Sequence, residues 1–188
     1  PRVAYQGEPG CYSEEAAAGL FGAGVDLLGL PWFEDVFLAL KEGKTDYAVL
    51  PVENSSTGSI RQVYDLLSRY EYYIVGEWQV KVEHCLTALP GVGLEDIKTV
   101  YSHEQGLMQC EKFLDSHRNW KRTPTLDTAG SAKQVAQTGD RTAAAICSRR
   151  AAQRYGLDIL AEGINYNSAN HTRFVVVSPV MELREGRD

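Results

Sequence analysis

Hydrophobic and polar positions along this chain switch repeatedly between a two-residue and a 3.6-residue period. Residues 2–6, 25–30 and 47–50 are short runs that read as strands. Between them, a helix is predicted from near Ser13. Its Glu14 and Glu15 suit the positive end of the helix dipole. A second is predicted over 32–41, where Trp32, Phe33, Val36, Phe37 and Leu40 fall at helical spacing. A third spans 59–69. This strand–helix alternation is that of an α/β lobe with a largely parallel sheet. Residues 72–88 differ: they are long, β-rich and partly alternating, with Val80 and Val82 set against Lys81 and Glu83. A segment without a helical break can leave one sheet and enter another. The alternation then restarts, with strands at 97–101, 121–126, 143–147 and 158–162 and helices at 103–114, 128–138 and 148–155. The last run, 172–178, has no helix of its own and must pair with an existing sheet. Two α/β lobes with crossovers between them is the predicted architecture.

The polar segments fall in a regular place. Residues 7–13, 51–58, 101–106, 125–131 and 165–173 each follow a strand and precede a helix, or lead into the last strand. In open α/β sheets, ligands bind at the carboxyl ends of strands, so a cleft between the lobes is expected to hold the site. Gly7, Gly10 and Ser13 make a turn that feeds a helix N-terminus, with Ser13 as its cap, but match no nucleotide fingerprint. The run Glu53-Asn54-Ser55-Ser56-Thr57-Gly58-Ser59 is too polar for a single cap at Thr57 or Ser59 to explain. It reads as a ligand site with Asn54 and Ser55 as the leading donors. Ser102 with Gln105 has the spacing of a capping box, and His103 reads as an exposed first-turn residue. Asp127 or Thr128 should cap the next helix, leaving the Ala129 and Gly130 N–H groups to face an anion. His84, placed on an alternating strand, and His117 read as structural or solvated.

Composition narrows the function. The chain has 188 residues, 44% hydrophobic and 23% charged, with a net charge of −6. That balance argues against a nucleic-acid surface, which needs clustered Lys and Arg. No apolar run approaches the roughly 20 residues of a membrane helix. Cys11, Cys85, Cys110 and Cys147 lack metal-ligand spacing and read as reduced thiols of a cytoplasmic protein. No catalytic triad, carboxylate pair or metal set can be argued from spacing. What remains is a site of neutral donors, helix N-termini and Arg173. It suits an anion whose leaving group needs one proton donor and whose driving force is internal.

Several segments, in order, resemble the catalytic domain of the prephenate dehydratase family over nearly the whole chain. They are Tyr5-Gln6-Gly7-x-x-Gly10-x-Tyr12-Ser13, Ala48-Val49-Leu50-Pro51-Val52-Glu53-Asn54-Ser55-x-x-Gly58, and Ser102-His103-x-Gln105-Gly106-Leu107 with Cys110. After these come Thr128-Ala129-x-Ser131-Ala132, the run from Ala144 to Leu157, and Asn170-x-Thr172-Arg173-Phe174. One departure is Asn165-Tyr166 after Ile164, where the family commonly has Gln-Asp. The resemblance implies two α/β lobes like type II periplasmic binding proteins, here residues 1–76 with 166–188 and residues 77–165. It implies conversion of prephenate to phenylpyruvate, with loss of water and carbon dioxide, in phenylalanine biosynthesis. No cofactor and no metal is implied. Thr172 would be the catalytic residue, and Asn54, Ser55, Ser102, Gln105, Thr128, Arg173 and Phe174 would contact substrate. Arg173 would be a carboxylate partner through its planar fork, or a salt bridge holding the cleft together. Phe174 would serve packing more than contact. A homodimer is implied. So is fusion, in the full-length protein, to a phenylalanine-sensing ACT domain and in some members to chorismate mutase. With Pro1 at one end and the charged tail 182–188 at the other, an excised catalytic domain without an ACT domain is expected.

Two other enzymes fit the same motifs. Arogenate dehydratase acts on the amino counterpart of prephenate, and the sequence offers no clear extra carboxylate for that amine. A prephenate decarboxylase keeps the hydroxyl and would not need Thr172. A non-catalytic two-lobed module for small anions is the reading from another class.

Overall fold

The computed structural model describes residues 1–182; the rest of the expected charged tail lies outside the described residues. The chain forms two compact units, each built on its own sheet. The first holds residues 1–7, 13–80 and those from 171 onward; the second holds 8–12 and 81–170. The boundaries expected at 76/77 and 165/166 fall instead at 80/81 and 170/171, and residues 8–12 join the second unit.

The sheet of the first unit has the order β2 (Asp26–Leu30), β1 (Arg2–Gln6), β3 (Tyr47–Asn54), β11 (His171–Ser178), β5 (Tyr73–Lys81), with the short β4 (Gly58–Ser59) on β3. β1 is parallel to β2 and β3, and β11 runs antiparallel to β3. Val3, Ala4 and Tyr5 are all buried, as a central parallel strand requires. One face is closed by α2 (Phe33–Lys41) and α3 (Arg61–Tyr70). Val36, Phe37 and Leu40 together with Val63, Leu66 and Leu67 pack on Ala4, Leu50, Val52, Val175 and Val177. Each large side chain so buried stabilises the unit by about 1.5–3 kcal/mol. Trp32, placed by its spacing on the buried stripe, is instead the exposed N-cap residue of α2. The expected caps Thr57 and Ser59 are not used either. Ser59 belongs to β4, and α3 starts after Ile60 with no side-chain cap.

In the second unit the order is β10 (Asp158–Ala161), β6 (Cys85–Ala88), β9 (Ala143–Cys147), β7 (Thr99–His103), β8 (Lys121–Thr125). β7 is parallel to β8 and β9, whereas β6 is antiparallel to β9 and β10. β9 is entirely buried, and its alanines let α6 (Thr128–Thr138) and α7 (Arg149–Tyr155) approach closely through Ala129, Ala132, Ala151 and Ala152. The segment 72–88 supplies β5 to one sheet and β6 to the other, as its unbroken β pattern suggested. The helix expected at 103–114 is two, α4 (Glu104–Gln109) and α5 (Glu111–Leu114), interrupted at Cys110 (φ −104°, ψ 11°).

Candidate active site

In the first unit the carboxyl end of β3 meets the start of β11, because the antiparallel register sets Asn54 opposite Thr172. Asn54 Nδ2 donates to Thr172 Oγ1 at 2.8 Å. The amide is held in that sense by its other end: Oδ1 accepts the N–H groups of Ser56 (2.9 Å) and Thr57 (3.2 Å). An Asx turn of this kind fixes which atom is oxygen. Thr172 must therefore accept from Asn54, which directs its own hydroxyl proton elsewhere. Ser55 holds the neighbouring residue. Its Oγ accepts the His171 N–H (2.9 Å), and its own N–H donates to the His171 carbonyl (2.9 Å). The loop read as an array of ligand donors is thus largely an array that fixes Thr172. Thr172 itself is buried.

Arg173 departs from expectation. Successive strand residues point to opposite faces, so Arg173 lies on the face away from Thr172, the face of Val175, Val177 and α3. There its guanidinium contacts Glu53, Glu77 and the Tyr64 hydroxyl, each at 3.4 Å. Two carboxylates around one guanidinium leave a net negative charge, which opposes a substrate anion at that spot. The structure replaces the carboxylate-binding role with an ion-pair cluster inside the first unit. Phe174 is 1% exposed and packs in the interior, so it contacts no ligand.

The second unit gathers polar side chains at the carboxyl ends of β7 and β8. His103, not Ser102, caps α4: its Nδ1 accepts the Gln105 N–H at 3.0 Å. β7 runs two residues further than the pattern suggested, which draws Ser102 into the sheet. Its hydroxyl is fully buried and donates to the Ile146 carbonyl at 3.0 Å, so the expected substrate-binding role of Ser102 gives way to a tie between strands. Thr128 opens α6 behind Asp127, whose side chain accepts the Gly130 N–H. That bond takes one of the two N–H groups expected to face an anion. Gly106 brings the two segments together: a Cβ there would lie 2.5 Å from Ser102 Oγ and 3.5 Å from Thr128 Cγ2. Gln105 and Thr128 retain exposed or half-buried side chains. Ser13 is not a cap; it lies buried in the first turn of α1 (Tyr12–Phe21). The helix-feeding turn is locked by α7 instead. Gly10 (φ +96°) sits where a Cβ would be 3.0 Å from Ala151 Cα, and Tyr155 donates to the Pro9 carbonyl.

A buried polar knot in the second unit had no sequence signal strong enough to find it. His84 lies in the loop before β6, not on a strand. Its Nε2 is 2.6 Å from Gln109 Oε1, and Nδ1 is 3.4 Å from the Tyr12 hydroxyl, which donates to the Glu83 carbonyl at 3.1 Å. A carboxamide oxygen can only accept, so Nε2 carries a proton. Burial pushes the His84 pKa down, partly offset by the Gln109 bond. Asn165 completes the knot, accepting the His84 N–H (3.0 Å) and donating to the Val82 (3.2 Å) and Asn167 (2.9 Å) carbonyls.

These features sit in a chain whose family can be stated. A family model described as prephenate dehydratase matches residues 3–182, and the protein belongs to that family. Among its relatives, arogenate dehydratase 1 of Petunia hybrida is 50% identical over 94% of this chain and 42% of its own length. Arogenate dehydratase/prephenate dehydratase 6 of Arabidopsis thaliana, chloroplastic, is also 50% identical, over 94% of this chain and 43% of its own. The crystal structure of prephenate dehydratase from Arthrobacter aurescens in complex with L-Phe has the same fold. It is 30% identical with a TM-score of 0.91, covering 100% of this chain and 63% of that one. The chain therefore spans less than half the length of these two plant relatives.

Proposed function

We infer that this chain catalyses the decarboxylating dehydration of prephenate to phenylpyruvate, with Thr172 hydrogen-bonding the departing ring hydroxyl. The observation that carries this reading is the Asn54 Nδ2 to Thr172 Oγ1 bond, because it occupies the threonine as an acceptor and leaves its proton to donate. The chemistry asks little more. The ring carboxylate leaves as carbon dioxide, its bonding electrons aromatise the ring and expel hydroxide, and one proton converts hydroxide to water. A threonine hydroxyl is too weak an acid to be ionised outright. Its part is to stabilise charge developing on the leaving oxygen, the proton coming from water. Of the residues expected to bind substrate, Gln105 and Thr128 have side chains open enough to meet a ligand. Asn54 and Ser55 act by positioning Thr172.

Thr172→Ala should lower kcat on prephenate by about 10²–10³-fold, the usual cost of one donor to a developing oxyanion, with the unfolding transition little changed. Near-normal phenylpyruvate formation by that variant would overturn the assignment. Arogenate is the second candidate substrate, favoured by the names of the plant relatives; the ratio of kcat/KM on the two substrates decides between them. The protein is further inferred to act as a homodimer. It is also inferred to act within a longer polypeptide with a phenylalanine-sensing domain, a reading supported by the L-Phe complex of the longer Arthrobacter enzyme.

A further inference from the structure

Residues 81–84 bring the chain into the second unit, and 164–170 take it out. The two segments are joined at their ends. The Ile164 N–H donates to the His84 carbonyl at 3.0 Å, and the Val82 N–H donates to the Asn170 carbonyl at 2.8 Å. Residues 165–169 stand between those bonds, and the Asn165 side chain spans the gap. Its Oδ1 accepts the His84 N–H (3.0 Å), and its Nδ2 donates to the Val82 carbonyl (3.2 Å). A residue of a parallel strand bonds in this way to the two neighbours of the residue it faces. Here a side-chain amide takes that place opposite Glu83. With an N–H at one end and carbonyls at the other, the amide has one sense only.

The loop that Asn165 bypasses is curled onto the same group. Nδ2 also donates to the Asn167 carbonyl (2.9 Å), which accepts the Asn170 N–H as well (3.3 Å). The Tyr166 N–H is held by the Gln109 carbonyl at 3.0 Å. Val82, His84, Asn165 and Asn170 are all buried, so these polar groups depend on one another for partners. The chain leaves this clasp at Asn170, and Thr172 is two residues further on. We propose that Asn165 is a positioning residue for the reaction: its carboxamide fixes where the chain re-emerges at Asn170, and with it the place of the Thr172 hydroxyl. The proposal rests on the role inferred for Thr172.

Asn165→Asp keeps the side-chain volume and an acceptor for the His84 N–H, but sets an oxygen against the Val82 and Asn167 carbonyls. Its kcat on prephenate should fall about 10- to 100-fold, as displacing a reacting group by around 1 Å does, with KM little changed. In the Thr172→Ala background the same change should barely alter the residual kcat, because effects that pass through one group do not add. If Asn165→Asp does not fold, Asn165→Ala, where water can bridge the two backbone groups, is taken through the same cycle. Amide hydrogen exchange reads the clasp without substrate: the Val82 and His171 N–H groups should exchange faster in the variant. A loss in KM instead of kcat, an unchanged kcat, a full further loss on top of Thr172→Ala, or an unchanged His171 N–H overturns the proposal. Near-normal turnover by Thr172→Ala alone would instead sink the role of Thr172, and the exchange of the His171 N–H then decides whether Asn165 sets the chain.

Discussion

Asn54→Asp tests whether Thr172 is oriented rather than merely present. The replacement is isosteric, and one carboxylate oxygen can still accept the Ser56 and Thr57 N–H groups that define the turn. The other now occupies the place of Nδ2, 2.8 Å from Thr172 Oγ1. It can only accept, so the bond reverses and the threonine proton is drawn into the carboxylate. A hydrogen bond to a charged group contributes about 1.5–3 kcal/mol. Thr172 must give it up to serve the leaving oxygen, which raises the barrier by that amount and lowers kcat about 10- to 100-fold. Steady-state kinetics on prephenate would read this as a fall in kcat larger than any change in KM. Activity should partly recover at lower pH, where the introduced carboxyl is protonated and can donate again. An unchanged kcat, or a fall that is the same at every pH, would refute the view that the amide sets the direction of the threonine proton.

Two further expectations concern residues away from Thr172. Arg173→Lys loses the fork that spans Glu53 and Glu77; because the cluster is partly exposed, denaturant melts should show a cost of about 1 kcal/mol or less. KM for prephenate should be unchanged, and a clear rise would restore Arg173 as a substrate ligand. His84 makes stability depend on pH. Its folded pKa is held below the usual value of about 6.5, so on acidification the unfolded chain takes up a proton that the native ring refuses. The neutral ring's contribution is complete above the unfolded pKa and is lost as pH falls below it. Urea unfolding at pH 7.5 and 5.5 should show this drop, and His84→Gln should flatten it; an equal slope in the variant would assign the dependence to other groups.

Much of the fold was legible because local signals agreed. α6 was predicted at its observed bounds, since Asp127 caps it and Gly139 ends it in a left-handed conformation. The switch of residues 72–88 between sheets was visible in a β pattern without a break. The site was less legible, for three physical reasons. The two-residue extension of β7 moved the cap from Ser102 to His103, and such boundaries depend on sheet pairing rather than local spacing. The His84–Gln109 bond joins residues 25 apart, which no periodicity records. Arg173 is a different case. Adjacent strand residues must face opposite ways, so Thr172 and Arg173 could not both point at one ligand, and alternation alone carried that information.

The place of β11 in the first sheet sets a condition on biosynthesis. It lies between β3 and β5, yet β5 ends at Lys81 and β11 begins at His171. At roughly 5–20 residues per second, a ribosome needs several seconds to make the intervening chain. Throughout that interval β3 and β5 lack the strand that joins them, while the second unit is being completed. The nascent first unit therefore carries a strand-wide gap flanked by apolar edges. Its demand for chaperone protection should rise with any slowing of translation between those two strands.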